Sequence, residues 1–287
     1  MKTCLAVDIG GTKIAATLIR DGVLTRRMQV KTPASSKAVA LDGALKELLS
    51  PLLSDADYIA IASTGIIHNG IISALNPSNL GGLKSYPLKS SIEKFSSLPV
   101  FILNDAQAAT WAEFQHCQVQ NMAFITISTG VGAGIVINNK LLTGYRSIAG
   151  HAGHMLADPN GPMCGCGRKG CVESIASGTA IGNAGKSFWG ESCDGKMVMQ
   201  KCQENDPRGI EIIERSAQTI ANMIADLSIS LDIEVFKIGG SVGLASGYIG
   251  RIQNHLSTMP AAFHSEIQRA EYGADAGLVG VSLWAQE

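Results

Sequence analysis

Two stretches of this chain repeat one short pattern. Leu5 to Ile19, LAVDIGGTKIAATLI, is an apolar run, a glycine-rich turn and a second apolar run. Phe124 to Ile137, FITISTGVGAGIVI, repeats that outline more than a hundred residues later. An internal echo of this kind implies two related halves, each built on a strand, a turn and a returning strand. Glycines in such a turn let backbone N–H groups point at a bound anion, and two of them suit a polyphosphate. An ordinary tight turn would explain either one alone. Neither is a Walker loop, because GxxxxGK[ST] is absent, and no helix follows the first glycines, which sets aside a dinucleotide fingerprint.

A second feature is a cluster of metal-ligand residue types. His154 is followed after nine residues by Cys164, then by Cys166 and Cys171, with Gly161, Gly165, Gly167 and Gly170 among them. Three thiols and an imidazole are a closed tetrahedral zinc set, which leaves no open position for water and so reads as structural. The competing reading is a disulfide beside a bystander histidine. The chain has seven cysteines, an odd number, and MKTCLAVDIGG reads straight into a strand with no cleavable leader. A reduced cytoplasmic setting is therefore expected, with Cys4, Cys117, Cys193 and Cys202 as free thiols. Two roles for the loop stay open. It presents His151, His154 and Glu173 to a hydroxylated ligand, or it only stabilises the fold, with Glu173 as a helix N-terminal charge.

With 287 residues, 46% of them apolar, the chain suits two domains. A net charge of −1 offers no basic field for nucleic acid, and no apolar run is long enough to span a bilayer. Between the two echoes, β and α patterns alternate. Ser36 to Leu49 has helical spacing, and the strand Tyr58 to Ser63 leads to Thr64 and Gly65. The strand Val100 to Leu103 delivers Asn104 and Asp105 at its carboxyl end, where α/β sheets bind ligands, and a helix Ala106 to His116 follows. Asp105 there is either a general base for a hydroxyl proton or a helix N-cap. Beyond the cysteines the pattern predicts a helix from Glu173 to Ala184 and a long one over Arg208 to Ser230, opened by Pro207. A strand Val235 to Ile238, a third glycine turn at Gly239 to Gly243 and an amphipathic helix Ala276 to Ala285 complete the chain. Lys186 to Cys202 suggests no role.

These pieces together resemble the ROK family of sugar kinases, within the actin–hexokinase–Hsp70 superfamily. The matching motifs are DIGGTK (8–13), NDA (104–106), STGVGAG (128–134), GH…CGCG…GCVE (153–173) and IGGS (238–241), spread over nearly the whole chain. ASTGII (62–67), LNPSNLGG (75–82) and AGHAGHMLADPNGPMCGCGRKGCVE resemble most the branch that phosphorylates N-acetylmannosamine.

The resemblance implies an α/β chain of two ribonuclease-H-like, actin/hexokinase-type domains with ATP in the cleft between them. One would take residues 1–118 plus 274–287, the other 119–273 with the zinc loop. It further implies that Asp8 acts on Mg²⁺ through water while Gly10, Gly11, Thr12 and Lys13 approach the phosphates. Thr129, Gly130, Val131, Gly132, Ala133 and Gly134 would form the second phosphate turn, and Gly239 and Gly240 would lie by the adenosine. Asp105 would take the proton from the sugar 6-hydroxyl, with Thr64, Gly65, Asn79, Asn104, His151, His154 and Glu173 around the sugar. His154, Cys164, Cys166 and Cys171 would hold zinc. Most family members carry glutamate where this chain has His151, a departure that fits a sugar altered at its 2-position. The expected activity is ATP-dependent phosphorylation of N-acetylmannosamine in sialic acid degradation, by a homodimer. The alternatives are a glucokinase or another hexose kinase, and a non-catalytic sugar sensor or repressor. Repressor relatives carry a helix-turn-helix ahead of the fold, for which a turn beginning by residue 8 leaves no room.

Overall fold

In the computed structural model, which describes residues 2–76 and 80–287, two five-stranded sheets share one strand order. Asn79 lies outside the described residues. The described chain forms two units. One runs to Cys117 and adds Thr143–Ile148 and Ala274–Glu287; the other is Gln118–Leu142 with Ala149–Gly273. Thr143–Ile148 thus groups with the first unit although it lies inside 119–273.

The first unit opens with β1 (Cys4–Ile9), β2 (Lys13–Arg20) and β3 (Val23–Lys31), then α1 (Ala38–Leu49) and β4 (Tyr58–Ser63). A small sheet of β5 (Ile66–His68), β6 (Ile71–Ser73) and β7 (Ser85–Tyr86) follows, then α2 (Leu88–Glu93), β8 (Val100–Asn104) and α3 (Asp105–Phe114). The main sheet runs β3-β2-β1-β4-β8. β1 is antiparallel to β2 and parallel to β4, and β4 is parallel to β8. Ile9 pairs with Ser63, and Ser63 with Asn104, so three strands end in one row. That register brings Asp8, Thr64 and Asp105 to a single edge. Both faces of β1 and β4 are buried, as parallel strands between covering layers require. Leu41, Leu45 and Leu48 of α1 join Leu5, Val7, Ile59 and Ile61 in its core.

The second unit has β9 (Met122–Ile127), β10 (Val131–Ile137) and β11 (Lys140–Leu141), then α4 (Glu173–Ala176), α5 (Gly178–Trp189), α6 (Gly195–Gln203) and α7 (Pro207–Leu231). β12 (Val235–Gly239), α8 (Tyr248–Ser257) and β13 (Glu266–Arg269) complete a sheet of order β11-β10-β9-β12-β13, the same path as the first. α7 starts with Pro207, capped by the Asp206 carboxylate on Arg208 N–H, and buries Ile213, Ala217, Ile220, Ile224 and Leu227. It stops where Asp232 turns left-handed at φ 51°.

The helix expected over Glu173 to Ala184 is two helices. Ser177 is extended because Gly178 N–H donates to Ser128 O at 2.7 Å, and Ser177 Oγ then caps α5 by accepting from Ala180 N–H at 3.1 Å. The last helix, α9 (Ala276–Trp284), belongs to the first unit and packs on α3 and on β1 and β4. Packing on several sides makes it apolar nearly all round, whereas the sequence pattern suggested one apolar stripe. Its crossing with α3 is close: a Cβ on Gly280 would lie 1.7 Å from Ala108 O. Gly280→Ala is therefore expected to cost about 3 kcal/mol, the upper end for overpacking a core, read as a lower urea midpoint at unchanged slope.

Candidate active site and metal centre

At the row of strand ends in the first unit, the turn after β1 is held from both sides. Gly10 N–H donates to Lys13 O at 3.0 Å, and Thr32 ties it from beyond β3 through Oγ1 to Gly10 O (2.6 Å) and N–H to Thr12 O (3.1 Å). Gly11, Thr12 and Lys13 are exposed, and Lys13 is already the first residue of β2. Asp8 is half-buried. Burial pushes its carboxyl up to about 7, the Asp105 carboxylate pushes the same way, and Lys13 and Arg27 offset part of this, with Asp275 adding to the rise. Arg27 Nη1 donates to Asp275 Oδ1 at 2.5 Å. Thr32, Arg27 and Asp275 escaped the sequence reading because each reaches this edge only through tertiary pairing.

Asp105 is the first residue of α3, and the cap is Asn104. The Asn104 Oδ1 accepts from Ala106 N–H (3.0 Å) and Gln107 N–H (3.1 Å), while its Nδ2 donates to Gly65 O (2.9 Å). Asn104 is buried. With capping done by its neighbour, the Asp105 carboxylate accepts from Ala106 N–H at 2.8 Å. Burial raises its proton affinity, and bonds from Ala106 N–H, its own N–H and Asn104 counter that rise. Beside it, Thr64 N–H donates to Ile9 O at 3.1 Å. Gly65 has φ +90°, and a Cβ there would meet Ser73 O at 2.9 Å.

The second glycine turn is shorter than its sequence suggests. Only Ser128, Thr129 and Gly130 connect the strands, because Val131, Gly132, Ala133 and Gly134 pair with Ile127, Thr126, Ile125 and Phe124 as part of β10. A Cβ on Gly153 would lie 2.1 Å from Val131 O, and one on Gly150 would lie 3.2 Å from Gly134 Cα. The segment before the cysteines thus lies directly on β10. At the end of β12, Gly240 (φ +83°) sits where a Cβ would be 2.3 Å from Ile127 O, and the same carbonyl accepts from Val242 and Gly243 N–H. The Gly239–Gly240 turn therefore packs on the end of β9, beside Ser128.

His151 precedes a short 3₁₀ turn, Ala152–His154, that lies on β10. One ligand atom each from His154, Cys164, Cys166 and Cys171 lies within 4.8 Å of all the others. Cys166 Sγ and Cys171 Sγ are 3.7 Å apart, and Cys164 Sγ is 3.6 Å from His154 Nδ1. A tetrahedron with Zn–S near 2.3 Å and Zn–N near 2.05 Å has edges of about 3.8 Å and about 3.6 Å. A disulfide would need about 2.05 Å, and the seven cysteines are free. Burial pushes the Cys171 thiol up to about 12, with Cys166 and Cys164 adding to it, and burial raises Cys164 as well. Three thiol sulfurs and an imidazole nitrogen at these separations match a closed tetrahedral site, so the donor set fits zinc. Glu173, at the start of α4, accepts from Val131 N–H through Oε2 at 3.0 Å, and its Oε1 is 3.9 Å from Cys164 Sγ.

A model of the ROK family matches residues 4–287. The chain is 54% identical over 287 residues to the N-acetylmannosamine kinase of Haemophilus influenzae, covering 99% of this chain and 95% of that protein. It is 50% identical over 287 residues to the N-acetylmannosamine kinase of Escherichia coli (strain K12), covering 99% and 98%. A solved ROK family glucokinase from Streptomyces griseus, in complex with glucose and AMPPNP, matches at TM-score 0.82 and 28% identity, covering 99% of this chain and 100% of that one.

The Asp8 carboxyl carries a stability consequence. Folded, it keeps its proton up to about pH 7; unfolded, it loses it near 4. Between those values the folded chain binds more protons, so this group's contribution to stability falls as pH rises. Asp8→Asn should raise the melting temperature of the ligand-free protein at pH 8, with the gain shrinking as pH is lowered to 5.

Proposed function

The chain belongs to the ROK family, and from that premise we propose that it transfers the γ-phosphoryl group of ATP to the 6-hydroxyl of N-acetylmannosamine. The observation that carries this reading is the match of 54% identity across 99% of the chain to a kinase of that sugar. The product would enter the breakdown of sialic acid. The family resemblance also supports a cytoplasmic homodimer that binds small molecules and neither nucleic acid nor membrane. No helix among the described residues is long and apolar enough to cross a bilayer.

Phosphoryl transfer asks a protein chiefly for alignment and for charge placed over the phosphates. In this reading the 6-hydroxyl oxygen bonds to the γ-phosphorus as the bond to ADP breaks, and its proton passes to an Asp105 carboxylate oxygen. Raised proton affinity and freedom from capping suit Asp105 to that role. Gly11 and Thr12 in the first turn, and Thr129 and Gly130 in the second, carry backbone N–H groups that can turn to phosphate, while the Gly10 and Ser128 N–H groups close their own turns on Lys13 O and Gly130 O. Asp8, beside a second carboxylate, fits Mg²⁺ held through water, and that ion would neutralise the triphosphate. Bound zinc would fix the loop that carries His151 and His154. His154 faces the cluster through Nδ1, which leaves Nε2 for a sugar hydroxyl. His151 stands near the carbons that distinguish N-acetylmannosamine from glucose.

A coupled ADP-release assay over N-acetylmannosamine, N-acetylglucosamine, mannose and glucose tests this reading. Turnover of N-acetylmannosamine should exceed that of the others, and equal or greater turnover of glucose would overturn the substrate. Asp105→Asn should keep its fold and lose about two to four orders of magnitude in kcat. His151→Glu should shift the preference toward glucose; an unchanged order would remove His151 from specificity.

A further inference from the structure

We propose that Glu173 is a positioning residue for the turn Ser128–Gly130, and that through it the Cys/His cluster sets the shape of that turn. The inference rests on reading the turn as nucleotide-binding and extends it. By family resemblance Glu173 contacts sugar, yet both of its carboxylate oxygens are directed at protein. Oε2 accepts from Val131 N–H at 3.0 Å, the first amide after the turn. Oε1 lies 3.9 Å from Cys164 Sγ. The carboxylate also lies over Gly130: a Cβ there would come 2.5 Å from Oε2. Gly130 is not left-handed, so the carboxylate rather than the backbone angle accounts for the missing side chain.

The same segment holds the rest of the turn. Gly178 N–H donates to Ser128 O at 2.7 Å, and Thr179 N–H to Thr129 O at 3.3 Å. Ser128, Thr129 and Val131 are thus bonded to residues 178, 179 and 173, a segment that begins two positions after Cys171. A cluster that orders Cys164 and Cys171 orders Glu173, which lies against the first and two residues after the second. The turn's amides are then fixed before a phosphate arrives, and pre-organisation of this kind lowers the cost of binding.

The test is calorimetric binding of Mg-AMPPNP, and separately of N-acetylmannosamine, to wild type, Glu173→Ala, Glu173→Gln, Gly130→Ala and the double variant Gly130→Ala/Glu173→Ala. Zinc content is measured on each. Loss of a charge-assisted bond predicts a nucleotide affinity about tenfold weaker in Glu173→Ala. Gly130→Ala should match it, because its methyl group pushes the carboxylate off Val131 N–H. Glu173→Gln keeps an acceptor oxygen and should stay within about threefold of wild type. The double variant should bind no more weakly than Glu173→Ala, since both changes remove one interaction. Zinc should be retained throughout. Nucleotide affinity unchanged in both single variants, with only sugar binding lost, would overturn the proposal, as would additive losses or loss of zinc from Glu173→Ala. Wild type that fails to bind Mg-AMPPNP would instead sink the reading of the turn itself, and the proposal with it.

Discussion

A carboxylate held where water reaches it only in part is the constraint around which the first unit is arranged. Asp8 is close to a second carboxylate, and two cations, Lys13 and Arg27, only partly offset its burial. The residues facing it are small. Its cross-strand neighbours are Ala15 and Ala62, and a Cβ on Gly277 of α9 would stand 3.6 Å from its Cγ. Larger side chains there would bury more apolar area and shield the charge further. Small ones leave room for a hydrated divalent cation, which surrenders its waters reluctantly. The ligand-free fold is less stable for carrying this charge, and a bound cation would relieve it.

The second unit follows the same strand path with different chemistry at the same point. Ile9 pairs with Ile14 across one turn, and Ile127 with Val131 across the other, so four residues lie between the closing pair in the first unit and three in the second. In that alignment Asp8 corresponds to Thr126, and only the first unit places an acid there. The carboxylate of the second unit comes from elsewhere, as Glu173 reaching in from α4. One topology thus presents charge in the first case from the strand itself and in the second from the chain that follows the metal loop.

What was legible in the sequence is what local pattern controls. The strands β1, β2, β4 and β9 and the long helix α7 follow from apolar runs, turn residues and a proline at the first helical position. The cluster of four ligands followed from residue type and spacing, because zinc geometry is fixed by chemistry and not by fold. The errors came from tertiary bonds. Gly132 and Gly134 read as loop because glycine disfavours strands, yet they are residues of β10, paired with Thr126 and Phe124. Ser177 breaks a helix whose periodicity continues, because Gly178 N–H is taken by a carbonyl of another element. The cap reading of Asp105 gives way to Asn104, whose Oδ1 accepts from Ala106 and Gln107 N–H while its Nδ2 is tied to Gly65 O of another strand end. β13 and α6 were missed because their sequences, EIQR and GKMVMQKCQ, carry too few apolar residues to show a period.

The loop of residues 155–171 shows why a metal fits as scaffold here. It contains no helix or strand, and its internal order comes from tight backbone approaches. Ala157 and Asp158 N–H both donate to Gly170 O, and a Cβ on Gly170 would fall 1.6 Å from Asp158 O. Such a loop buries too little apolar surface to offset the entropy of fixing it. A closed tetrahedral ion would supply that energy at one point, and binding it would then be part of folding. His154 is both a cluster member and the end of the 3₁₀ turn lying on β10, while Cys171 leads within two residues to Glu173, whose Oε2 accepts from Val131 N–H at the start of the same strand. The loop is therefore fastened to β10 at both ends, and any disorder in it would reach the glycine turn that begins the strand.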